Sequence, residues 1–274
     1  MHSDDEPVGR VLGRRQALTL LGAAGAALTV GGSAGAAAEA TPTSSSGPGG
    51  SARTIDCIAR PEQTEGPYFV DEKLNRSDIR PDPSDGSVAA GTALALNLGV
   101  LQIGSRGCRP LKDAVVDIWQ CDALGLYSDV AAEGTAGRKF LRGYQTSDRA
   151  GWARFVTILP GWYEGRTVHI HVKIRTVGTD GNPYEFTSQL YFPEEVKAAY
   201  LTGAPYAEKG MPDTTNATDR FYAVGGEELL LKPRRTRAGY RADFTIGLDL
   251  SDTEIGKPDP DTPGDGPGQP PTPA

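Results

Sequence analysis

From about residue 90 to residue 250, apolar residues fall at every second position or in short runs, punctuated by Gly, Pro and Asp. Leu94-Ala95-Leu96-Asn97-Leu98-Gly99-Val100-Leu101 reads as one strand, and Asp113 to Gln120 as the next, after a Gly-Ser-Arg-Gly turn. Gly151 to Ile158 follows, then Val168 to Thr176, where the alternation is strict. Asp180-Gly181 is a hairpin turn signal leading into Phe186 to Phe192. Leu229 to Lys232 and Tyr240 to Leu250 complete the set, and only Glu194 to Leu201 has helical character. Many short strands with no helices between them predict an all-β protein, an antiparallel β-sandwich of the immunoglobulin or prealbumin kind with few short helices. A sandwich core accounts for most of the apolar residues without reference to function.

The two ends read differently. Met1 to Arg15 is polar and ends in the pair Arg14-Arg15. An apolar run from Ala17 to Ala38 follows, and Ala38-Glu39-Ala40 offers a small-x-small cleavage site. Residues 1–40 are therefore expected to be a removed signal peptide, and the paired arginines favour twin-arginine export to the envelope or beyond. Residues 41–52, TPTSSSGPGGSA, are expected to be a flexible linker. Residues 53–250 make one domain, and 251–274 a disordered Pro/Gly-rich tail. No internal repeat is present.

Charge and cysteines narrow the partners. A net charge of −7 lacks the basic footprint needed for nucleic acid or for stable association with an anionic membrane. The oligomeric state is left open. Three cysteines in an exported protein suggest one disulfide and one leftover thiol. Cys108 precedes Pro110 in a turn and Cys121 ends the following strand. An extended strand would hold those two apart, so Cys57 is expected to pair with one of them. No Cys-x-x-Cys is present to suggest a zinc ribbon.

Of the three histidines, His2 lies in the leader and the others are His169 and His171. Residues i and i+2 of a strand project from the same face, so these two imidazoles can share one metal ion. The plain alternative is a pair of polar residues on a solvent-facing strand. The flanking sequence, Tyr163-x-x-Arg166-x-x-His169-x-His171 after a Pro160-Gly161 turn, argues for the metal. No thiolate or paired carboxylate accompanies the histidines as in structural zinc, and Ile170 stands where a ferrous facial triad would need an acid nearby. A phenolate is a hard anionic donor that suits Fe(III).

These residues resemble the intradiol ring-cleavage dioxygenases, the family of catechol, hydroxyquinol and protocatechuate dioxygenases. Val116-Asp117-Ile118-Trp119-Gln120-Cys121-Asp122-Ala123-Leu124-Gly125-Leu126-Tyr127-Ser128 is similar to the family's Trp-containing strand and following tyrosine. Tyr163 to His171 matches its second ligand segment, and Pro61 to Tyr68 its N-terminal stretch beside the substrate. Arg142 to Gln145 and Thr187 to Phe192 also match, so the likeness covers about residues 55 to 250.

The resemblance implies non-haem Fe(III) held by Tyr127, Tyr163, His169 and His171. Arg166 and Gln189 would sit over the substrate ring, and Tyr163 would be the ligand that leaves to take a proton. Gly66, Pro67, Tyr68 and Asp122 are candidate substrate walls. The remaining tyrosines, Tyr144, Tyr184, Tyr191, Tyr206, Tyr222 and Tyr240, match no ligand position and are assigned to the sandwich. The plain alternative for Arg166 is a surface salt bridge. The implied reaction cleaves a catechol between its hydroxylated carbons with O2, giving a muconate-type diacid. Two rivals stand beside it: a non-enzymatic extracellular sandwich binding sugar or protein, and a zinc or copper hydrolase or oxidase.

Overall fold

The computed structural model describes residues 57–252. The expected leader, the linker and the tail from residue 253 lie outside the described residues. In chain order the strands are β1 (Ala93–Gly104), β2 (Gly107–Pro110), β3 (Val115–Trp119), β4 (Arg142–Thr146), β5 (Trp152–Ile158), β6 (His169–Val177) and β7 (Pro183–Tyr191). Helix α1 (Glu194–Leu201) follows, then β8 (Arg234–Thr236) and β9 (Gly239–Leu248). One sheet has the order β2-β1-β9-β8, with β5 also paired to β1, and the other runs β4-β3-β6-β7. The all-β sandwich expected from the apolar pattern is what forms. Among the described residues no helix is long and apolar enough to cross a membrane.

Alternation places the core between the two sheets. Leu94, Leu96, Leu98 and Val100 of β1, with Ala242, Phe244, Ile246 and Leu248 of β9, form one inner face. Val116 and Ile118 of β3, Ile170, Val172 and Ile174 of β6, and Phe186 and Leu190 of β7 form the other. Each fully buried Leu, Ile or Phe contributes roughly 1.5–3 kcal/mol of transfer free energy, so this interior supplies the bulk of the favourable term.

The odd-numbered positions of β6 point the other way, yet His169, His171 and Lys173 are also buried. The stretch from Gln63 to Phe69 lies against this second face. Gln63 N–H donates to Thr187 O, Gln189 Nε2 donates to Thr64 O, and Tyr68 and Phe69 pack beside Trp119 and Tyr127. Residues that would otherwise meet solvent are thereby enclosed.

Three local expectations change. β1 and β9 pair in parallel, not antiparallel. They lie at opposite ends of the domain sequence, so no hairpin dictates their direction, and apolar alternation carries no directional information. Leu229 to Lys232 does not form a strand. Gly226–Leu229 is a 3-10 turn entered through Gly225 at φ 82°, and Leu230 makes only an isolated bridge to Tyr191. Pro233, with no N–H to donate, closes the segment. Cys108 lies in β2 and not in a turn, a four-residue strand whose Gly, Arg and Pro content hid it.

Cys57 is bonded to Cys108 across a sequence separation of 51, and Cys121 is a buried free thiol. Closing a loop of that length stabilises a fold by about 4 kcal/mol on the chain-entropy account. Thiol titration of the purified chain should find no reactive group in the native state, one in denaturant and three after reduction. Cys57→Ser should lower stability by about 4 kcal/mol in denaturant unfolding; an unchanged midpoint would show the bond to be idle.

Candidate active site

Ladder register on the enclosed face of the second sheet lines up one residue from each strand. Arg142 of β4 is opposite Trp119 of β3, Trp119 is opposite His171 of β6, and His171 is opposite Gln189 of β7. Directly opposite residues share a face and touch. His169 is two residues back along β6 and opposite Tyr191. Strand parity thus brings both imidazoles to one spot, with Nε2 atoms 3.0 Å apart.

Two loops deliver the phenols. After β3 the chain turns at Asp122, whose Oδ1 accepts the N–H groups of Leu124 (2.8 Å) and Leu126 (2.9 Å). Gly125 sits at φ 88°, where any Cβ would lie 2.0 Å from Trp162 O, so only glycine lets the two loops approach. Tyr127 follows, its N–H donating to Glu133 Oε2 at 2.6 Å. The second loop, after β5, carries Tyr163, whose hydroxyl lies 3.2 Å from His169 Nε2. The Tyr127 and Tyr163 ring centroids are 5.6 Å apart. All four expected metal-binding side chains therefore converge.

Their environment is dry. Tyr127 is 0% exposed, His169 2% and His171 1%. Burial, and then the neighbouring Tyr163, pushes the Tyr127 phenol well above its ordinary pKa, and burial likewise raises Tyr163. Burial, with Arg166 nearby, pushes His169 down to about 3, and His171 falls well below its ordinary value. Without a cation these are four neutral groups. His169 Nδ1 is 2.7 Å from Thr167 O, so the proton belongs on Nδ1 and the Nε2 lone pair is free to bind.

One atom shows the arrangement to be unfinished by protein alone. Tyr127 Oη is buried and has no hydrogen-bond partner. An unsatisfied buried hydroxyl costs about 1–3 kcal/mol, which a bound metal cation would reverse. The His169 and His171 Nε2 atoms, 3.0 Å apart, are close enough for both to bind one metal ion at the metal–imidazole distance of about 2.1 Å. Among the described residues no group of three or more His, Cys, Asp or Glu could hold a metal ion. A metal at the histidine pair must draw on the phenols, and two phenolates with two imidazoles fit ferric iron better than zinc or copper.

Arg166 is not the surface pair its composition allows. Its Nε donates to Asp219 Oδ2 at 2.9 Å with the carboxylate fully buried, and its Nη2 donates to Gln189 Oε1. Its guanidinium carbon lies 4.3 Å from the centre of the Phe221 ring. Tyr191 Oη donates to Gln63 Oε1 at 2.6 Å and lies 3.1 Å from Gln189 Oε1.

Of the other expected residues, Tyr68 stacks on Tyr127 with centroids 4.4 Å apart. A Cβ at Gly66 would come 3.5 Å from His171 Cε1, and Pro67 is exposed between them. Asp122 spends its carboxylate on its own turn. Sequence reading did not reach Trp119 as a ring stacked on His171 (4.8 Å, 8°), nor Thr167, Asp219, Phe221, Gln63 or the role of Tyr191. Trp119, Gln63, Thr167 and Tyr191 lie within the motif segments matched in the sequence, whereas Asp219 and Phe221 lie outside them.

Comparison with known proteins follows the same line. A family model described as Dioxygenase matches residues 64–209. No curated protein matches the chain by sequence. An intradiol ring-cleavage dioxygenase from Tetranychus urticae is 27% identical with a TM-score of 0.62, over 73% of this chain and 99% of that one. The dioxygenase domain of a dioxygenase and carbohydrate-binding protein fusion from Streptomyces sp. SirexAA-E is 31% identical with a TM-score of 0.51, over 71% of this chain and 100% of that one. Catechol 1,2-dioxygenase from Acinetobacter sp. ADP1, at 21% identity, a TM-score of 0.53 and coverage of 75% and 67%, shares the fold. With two phenols and two imidazoles gathered on one sheet and this family match across more than half of its length, the chain belongs to the intradiol ring-cleavage dioxygenases.

Proposed function

We propose that the protein is a non-haem Fe(III) dioxygenase that opens a catechol-type ring between its two hydroxylated carbons with O2, yielding a muconate-type diacid. The observation that carries this reading is the orphaned Tyr127 hydroxyl beside two imidazole nitrogens 3.0 Å apart. Tyr127, Tyr163, His169 and His171 would hold the iron. When bound, ferric iron supplies Lewis acidity that draws electron density from the catechol and activates its ring toward O2.

The chain's own groups do the rest. Tyr163 is the partly exposed phenol of the pair, while Tyr127 is sealed beneath Tyr68. Tyr163 Oη is therefore the atom placed to take a catechol proton, and Tyr127 remains fixed. Both histidines of the domain are committed to the metal, so no imidazole is left to act as a base. Arg166 presents a guanidinium whose Nη1 has no partner among the described residues, and it stabilises negative charge developing on the substrate. Tyr68 and Trp119 cover Tyr127 and His171 and exclude water. Against a non-enzymatic sandwich stands the cost of burying these polar groups without a guest.

Export by the twin-arginine route belongs to the same proposal. The Cys57–Cys108 bond supports an oxidising compartment.

Protein purified with iron should show a phenolate-to-iron charge-transfer band and consume oxygen with a small panel of catechols. Tyr127→Phe should weaken or shift that band and lower turnover by at least about 100-fold. Colourless protein holding stoichiometric zinc would overturn the assignment. Chelating the iron should lower the melting temperature and re-adding it should restore it, because a ligand of the native state alone stabilises by mass action. Replacing Arg14 and Arg15 together with lysine should leave the protein in the cytoplasm on fractionation; undiminished export would place it on another route.

A further inference from the structure

The segment from Asp219 to Phe221 builds most of the seat in which Arg166 lies. Asp219 Oδ2 accepts Arg166 Nε at 2.9 Å, and Phe221 supplies the ring against the guanidinium at 4.3 Å. The same Oδ2 accepts Thr167 N–H at 2.8 Å. Thr167 is then fixed through every polar group it has. Its hydroxyl donates to Asn216 Oδ1 at 2.7 Å and accepts from Lys197 Nζ at 2.7 Å, and its carbonyl faces His169 Nδ1 at 2.7 Å. One carboxylate oxygen thus touches the arginine directly and the imidazole through a single residue, Thr167.

We propose that Asp219 is a positioning residue for ring cleavage, setting Arg166 against the substrate and His169 against the metal. The proposal rests on the functional reading above and extends it to a residue outside the ligand set.

The bland explanation is that Asp219 caps its own turn. Its Oδ1 does so, accepting Phe221 N–H at 2.8 Å and Tyr222 N–H at 2.9 Å. A cap needs only that one oxygen, and the other is turned wholly to the site. Burial alone would raise the Asp219 carboxyl, yet Arg166 and the Tyr222 and Thr167 N–H groups hold it below the usual carboxylate range. Four donors meet two oxygens, two on each. An amide in its place has a single acceptor, so asparagine cannot serve both sides: its NH2 would face either Arg166 and Thr167 or the turn, donor against donor. A guanidinium left without its acid loses its fixed angle, since Gln189 and Phe221 hold it at one nitrogen and one face only.

Asp219→Asn and Asp219→Glu are to be compared with the iron-loaded wild type and with Arg166→Ala. Iron per chain, the position of the charge-transfer band, kcat and KM are the readouts, with the melting temperature of each iron-free protein as the check on folding. Asp219→Asn should retain iron near the wild-type level, shift the band, and lower kcat by about 10–100-fold with a much smaller change in KM. Asp219→Glu, which keeps both oxygens and the charge, should recover part of the loss. An iron-replete Asp219→Asn with an unshifted band and kcat within about twofold of wild type would overturn the proposal, as would a loss that tracks iron content one for one. If Arg166→Ala turns over like wild type, the guanidinium half falls by itself. If the wild type consumes no oxygen with any catechol, the functional reading falls instead, and an unshifted band in Asp219→Asn still overturns the His169 half.

Discussion

A buried phenol with nothing to bond is the constraint around which this molecule is arranged. Tyr127 Oη lies in a place that water does not reach, and beside the neighbouring Tyr163 phenol it has no well-formed hydrogen bond. Folding such a group inward is unfavourable unless something in the native state answers it. The surroundings make sense as the preparation of that answer. Two imidazoles are kept neutral by burial, a second phenol stands at the open side, and the glycine at 125 permits the approach of the loops that carry the phenols.

The cover over the second sheet makes this dryness possible and brings its own electrostatic requirement. Lys173, one step further along β6 from His171 on the same face, is ion-paired with Glu65 of the covering segment and with Glu185 of β7. Arg142 is almost fully buried, and burial lowers its pKa to about 10. It donates to Tyr68 O at 3.0 Å and to Ser128 Oγ at 2.7 Å, tying the cover to the loop that carries Tyr127. Charge that would be costly alone is here shared between pieces of chain that must stay together. The fastening and the active-site wall are the same residues.

How much of this was legible in the sequence depends on the range of the interaction. The imidazole pair was legible because parity along one strand decides it, and the convergence of Tyr163 with it because six residues separate Tyr163 from His169. The glycine and aspartate of the turn before Tyr127 were visible as a motif, though the use of Asp122 as a local acceptor was not. Asp219 and Phe221 were out of reach. They lie about fifty residues beyond Arg166 in an irregular stretch, with no periodicity to say which way they face. The parallel pairing of β1 with β9 was hidden for a related reason: a pattern of apolar residues records which face is inside and nothing about direction. Leu229 and Leu231 were correctly apolar and are buried, but glycine before them and proline after them broke the strand.

The row running from Arg142 through Trp119 and His171 to Gln189 has a bearing on how such a protein can change over generations. A one-residue shift in the register of β6 would turn both imidazoles toward the leucines and isoleucines of the interior and bring Ile170 and Val172 to the outside. The strand itself can shift only by twos. The centre is inherited as a matter of odd and even, and descendants that keep the fold while losing that count would keep the scaffold and forfeit the chemistry.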